Sequence, residues 1–78
     1  MSITVLFFGA TADIVRRREL RLEQNESTAS RLLEELVSNH PALASHKLLI
    51  SINQQYASCN DLVRDGDEVA IFTAVSGG

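Results

Sequence analysis

The sequence has one cysteine, one proline and four glycines in 78 residues. A lone Cys59 closes no internal disulfide and builds no thiolate metal cluster, so a disulfide-stapled scaffold is excluded and a reducing, cytoplasmic setting is expected. Low proline and glycine, with 45% apolar and 22% charged residues, exclude fibrous and disordered classes. No apolar run approaches the roughly 20 residues of a membrane span. Ile3 to Ala10 is interrupted by Thr4 and Gly9 and follows no basic segment, which argues against a signal peptide. No membrane association is therefore expected. The length suits one domain over residues 1–78, and a chain this short buries only about 60% of the surface it exposes unfolded.

Catalytic groups are equally scarce. There are two histidines, His40 and His46, and neither a glycine-rich phosphate loop nor a paired-histidine metal motif occurs. The histidines flank a loop, where solvated imidazoles are the rule, and nothing in the spacing orients either of them on Cys59. No bound metal or cofactor is expected.

Seven basic residues stand against ten acidic ones, a formal charge of −3. The imbalance lies in the C-terminal half, where Lys47 and Arg64 face Asp61, Asp65, Asp67 and Glu68. That sign disfavours a phosphate backbone, so no nucleic-acid partner is expected, and it favours basic protein surfaces, with Asp67 and Glu68 as candidate contacts. Arg16, Arg17 and Arg18 run the other way. They read either as the polar face of a hairpin loop or as a contact for an acidic or phosphorylated partner.

What is present is a clear order of elements. Ser2 to Phe8 is dense in Ile, Val, Leu and Phe and reads as a strand ended by Gly9. Residues 10–18 form a short helical turn or an irregular connection, after which Leu20 and Leu22 alternate with Arg21 and Glu23 as a second strand. From Thr28 the period becomes helical: Ala29, Leu32, Leu33, Leu36 and Val37 share one face, with Ser27 as the expected N-cap and Pro41 as the stop. Leu48 to Ile52 is a third strand, and Asn53-Gln54-Gln55 turns into a short fourth strand at Tyr56 and Ala57. Asp61 to Arg64 links onward, Asp65-Gly66-Asp67 is a tight turn, and Glu68 to Thr73 is the last strand.

The order β-β-α-β-β-β gives an α+β fold, a mixed sheet crossed by one main helix, and at this length it points to a β-grasp, ubiquitin-like roll. The expected core holds Val5, Phe7, Leu32, Leu36, Ile50, Ile52, Val69 and Ile71.

The last strand runs into Ala74-Val75-Ser76-Gly77-Gly78, a tail expected to be flexible, whose glycines have no helix to cap and no strand to turn into. As a frayed end these residues mean nothing. As a functional end, the terminal carboxylate is the reactive group, and the absence of Cβ atoms lets it enter a narrow channel in another protein. A carboxylate is inert toward nucleophiles at neutral pH, so it must be activated by partners.

Taken together, Val5-Leu6-Phe7-Phe8-Gly9-Ala10-Thr11-Ala12-Asp13-Ile14-Val15, Asn39-His40-Pro41-Ala42-Leu43, Leu48 to Tyr56 and Asp65 to Gly78 resemble the small subunit family of molybdopterin synthase over essentially the full length. The resemblance implies a ubiquitin-like sulfur carrier with no active site of its own. Its C-terminal glycine, here Gly78, would be adenylated with ATP by a ubiquitin-activator-like enzyme and converted to a thiocarboxylate by a sulfur-donor protein. The charged tail would then donate sulfur to cyclic pyranopterin monophosphate in the large subunit, within a heterotetramer.

By the same resemblance Gly77 is the slender position before the reactive one, and Val75 and Ser76 lie along the channel. Phe72 is an aromatic partner contact, although strand alternation alone makes it equally a core residue. Two departures stand out: Thr73-Ala74 replaces a frequent double proline, and Arg16-Arg17-Arg18 occupies a turn that is often shorter and contains glycine. A thiamine-pathway or other sulfur carrier is the nearest alternative, and a noncatalytic β-grasp interaction module is the other.

Overall fold

The computed structural model describes residues 2–23 and 26–73. Among the described residues, seven strands, two α-helices and a 3₁₀ turn follow in the order β1 (Ile3–Phe7), α1 (Ala10–Val15), β2 (Glu19–Leu22), β3 (Glu26–Thr28), α2 (Ala29–Asn39), the 3₁₀ turn (Pro41–Ser45), β4 (Leu48–Ile52), β5 (Gln55–Tyr56), β6 (Leu62–Arg64) and β7 (Glu68–Thr73). Five strands form one mixed sheet in the order β2-β1-β7-β4-β5, and β3 pairs with β6 in a small second sheet. β1 and β7 are parallel and central, with Val5 opposite Val69 and Phe7 opposite Ile71, whereas β2 and β4 flank them antiparallel. This is the α+β roll that the element order implies.

Strand alternation decides which face is buried. Ile3, Val5 and Phe7 of β1, Ile50 of β4, and Val69 and Ile71 of β7 point to one side, where they meet Ala29, Leu32 and Leu36 of α2. Ile52 is only half-buried and packs on the margin of this core. Val15, Leu43 and Val63 close its periphery from α1, the 3₁₀ turn and β6.

The start of α2 differs from the sequence expectation. Thr28, not Ser27, is the N-cap, its Oγ1 accepting from Arg31 N at 3.2 Å. Ser27 is displaced into β3, buried opposite Val63, because Glu26–Thr28 pairs with Leu62–Arg64. That pairing also turns the expected link at residues 61–64 into a strand. The next free N–H groups of the helix are met by the loop before β6: Ala29 N donates to Asp61 O and Ser30 N to Cys59 O.

Candidate functional site

The strand directions collect one end of the sheet around the start of the tail. β1 and β7 run toward it and β2 and β4 run away from it, so Phe8, Arg18, Lys47 and Thr73 lie at this end. Phe7 N donates to Arg18 O at 2.9 Å, and Leu48 pairs with Thr73. Two features anchor β7 here. Phe8 N donates to Ile71 O, and the fully buried Thr11 places its Oγ1 within 2.7 Å of Phe8 O and 2.9 Å of Ile71 O, sharing its proton between them. Thr11 also accepts from Phe8 N. Gly9, at φ +58°, supplies the backbone turn that brings α1 back over β7. Sequence reading missed Thr11, since a threonine after a strand carries no signal until the turn folds it inward.

The sheet face away from α2 is the second component. Leu6 pairs with Ala70, Leu49 with Phe72 and Ser51 with both Ala70 and Tyr56, so these side chains share the outer surface. Phe72 is half-buried here and not in the core, its ring 5.9 Å from that of Tyr56 at an interplanar angle of 58°. Tyr56 is 79% exposed and Phe8 52%. Leu6, Leu49, Tyr56 and Phe72 thus form an apolar strip on the open face of the sheet.

Asp67 and Glu68 are placed at the opposite end of β7, so the structure does not bring them together with Phe72. Five residue steps along the strand separate Glu68 from Thr73, about 17 Å. Asp67 is committed inside the molecule: Oδ2 accepts from Arg64 N at 2.8 Å and Oδ1 from Asn53 Nδ2 at 3.0 Å. The Arg64 amide first, then the Asn53 side chain, hold its carboxyl below the usual aspartate range. Asn53 Oδ1 in turn accepts from Glu68 N, locking the β4–β5 hairpin onto the turn before β7. The Glu68 side chain is exposed. A groove of about 500 Å³, lined by Ile52, Tyr56, Leu62, Arg64 and Asp67 among others, lies at this far end.

Val75, Ser76, Gly77 and Gly78 lie outside the described residues. Among the described residues no group of three or more His, Cys, Asp or Glu is placed to hold a metal ion, and Cys59 is exposed with no disulfide. No described helix is long and apolar enough to cross a membrane.

Comparison with known proteins adds what geometry alone does not. The ThiS family model matches residues 5–78, so it spans both the sheet and the tail. The chain belongs to the ThiS family. A molybdopterin synthase sulfur carrier subunit from Haemophilus influenzae is 35% identical over 97% of this chain and 99% of its own length. Among solved structures, small archaeal modifier protein 1 of Haloferax volcanii superposes with a TM-score of 0.81 at 27% identity, each chain covered fully. Subunit 1 or 2 in a complex of the two subunits of the molybdopterin-converting factor from Helicobacter pylori matches at a TM-score of 0.68 and 21% identity, again over both full lengths, and supports the fold.

Proposed function

We propose that this chain is the sulfur carrier subunit of a molybdopterin synthase, with Gly78 as the group that carries sulfur. The observation that carries the reading is full-length similarity to subunits of that name together with a sheet whose central strand, β7, ends beside an open apolar face and leads into the diglycine. The apolar strip of Leu6, Leu49, Tyr56 and Phe72 docks on the large subunit, and the tail, through Val75, Ser76 and Gly77, extends into it.

In the proposed cycle a Gly78 carboxylate oxygen attacks the α-phosphorus of ATP on a separate adenylating enzyme, and pyrophosphate leaves. The terminal sulfur of a persulfide on a sulfur-donor protein then attacks the same carbon and displaces AMP, and a second thiol cleaves the resulting acyl disulfide, which frees the thiocarboxylate and leaves a disulfide on the donor side. The thiocarboxylate delivers its sulfur to cyclic pyranopterin monophosphate held by the large subunit, and water restores the carboxylate. ATP belongs to the activating enzyme. This chain contributes no acid or base, only a reactive terminus on a backbone slender enough to thread a channel. All these steps belong in the cytoplasm.

Reconstitution with the adenylating enzyme, ATP, a sulfur source, the large subunit and cyclic pyranopterin monophosphate tests the reading. Deleting Gly78 retracts the carboxylate by about 3.3 to 3.6 Å. A misplacement of even 1 Å can cost about 100-fold, so molybdopterin formation should fall by at least that factor. Formation near the parent rate would exclude Gly78 as the carrier. Failure of the parent chain in this assay, with success in a thiazole-forming system, would move it to the thiamine pathway.

A further inference from the structure

Arg16, Arg17 and Arg18 are all exposed and make no ion pair among the described residues. Nor does Lys47, also exposed. The arginine run and Lys47 are far apart in sequence, yet the sheet brings Arg18 and Lys47 to the same end. Arg18 immediately precedes β2 and accepts from Phe7 N on β1, and Lys47 precedes Leu48 on β4, which pairs with Thr73. In the strand order β2-β1-β7-β4, Thr73 at the end of β7 is therefore about one strand spacing from the backbone beside Lys47 and two from that of Arg18, about 5 Å and 10 Å. Asp13 is the nearby acid on α1, and Glu19 is already paired with Arg21. The far end of the sheet carries Asp65, Asp67 and Glu68, so a chain of net charge −3 is electrically polarised along its strands, positive where the tail starts.

We propose that Arg16, Arg17, Arg18 and Lys47 form a cationic collar at the root of the tail, which seats on a carboxylate-bearing rim around the mouth of the partner protein's tail-receiving site. This rests on the carrier reading, because only a threaded tail brings the collar to such a mouth. Residues 74–78 reach at most about 16 to 18 Å, so the collar reads the mouth and not the phosphates or reacting atoms at the tail's far end. Guanidinium groups suit carboxylates because they offer paired donors in a planar fork. A nucleic acid is the weaker fit, since the rest of the molecule repels it.

The test is stopped-flow association of the full chain with the large subunit at low and high salt, comparing the parent with Arg17→Glu/Arg18→Glu, with Arg17→Gln/Arg18→Gln, and with Arg31→Glu on α2 as a control for total charge. Rim charges act mainly on the association rate and its salt dependence. The glutamate pair should associate at least about tenfold more slowly at low salt, the glutamine pair less so, the control near the parent, and the differences should shrink at high salt. Equal association by parent and both pairs at low salt would overturn the collar while leaving the carrier reading intact. No binding by the parent itself would overturn the carrier reading and the collar with it. Collar-dependent retention on duplex DNA, with partner association unchanged, would assign the arginines to a phosphate backbone and overturn the proposal. Unchanged urea midpoints confirm that the variants fold.

Discussion

Single residues carry much of the local specification. Asp67 is the clearest, because both carboxylate oxygens are spent on the Arg64 amide and the Asn53 side chain. Those donors favour the charged form and depress its pKa. A depressed carboxylate adds stability that is present above its unfolded pKa and lost as pH falls through the folded value. Asp67→Asn should therefore destabilise the protein at pH 7, and the gap to the parent in urea unfolding should close as pH falls from the ordinary aspartate range through the depressed folded value. A gap independent of pH would mean that the hydrogen bonds matter but the charge does not. Gln54 makes the converse case. Asn53 and Gln54 are the central residues of the β4–β5 hairpin, with φ of +50° and +70°, the geometry of a type I′ turn, in which the second position favours glycine. Gln54→Gly should raise stability by about 0.5 to 1 kcal/mol, relieved strain exceeding the entropy cost, and a lower thermal midpoint would contradict this.

At the scale of elements, α2 is the main lid of the core, and Leu36, 2% exposed, sits in its middle. Leu36→Ala should cost about 2 to 5 kcal/mol in urea unfolding, and a loss below about 0.5 would show that the helix is not the core's cover. The periodicity that predicts this face is dense, so α2, β4 and β7 were legible in the sequence nearly to the residue. The pairing of Glu26–Thr28 with Leu62–Arg64 was not. Three-residue strands carry no detectable period, and only their partner across the fold makes them strands. Ser27 and Thr28 are equally good caps by chemistry, and it is this pairing that assigns the role to Thr28. Phe72 was ambiguous for a related reason: alternation fixes its parity relative to Ile71, but which face lies open depends on the position of α2.

For the whole molecule, the fold is a platform that presents an end. Four of the five main-sheet strands align so that the apolar face, the arginine loop and the start of the tail share one region, while the Asp67 turn is tied off at the other end. The fold was readable from periodicity, whereas the diglycine is singled out by its position alone and lies outside the described residues. The charge polarity was not readable, because Arg18 and Lys47 come to the same end of the sheet only through strand order. Whether Gly78 accepts sulfur is decided by intact-mass analysis after incubation with the adenylating enzyme, ATP and a sulfur donor. The expected product is a species in which one oxygen is replaced by sulfur, mapped to Gly78 by fragmentation, dependent on ATP and absent from the chain lacking Gly78. An unchanged mass with active enzymes, or sulfur mapped to Cys59 instead, would contradict Gly78 as the acceptor.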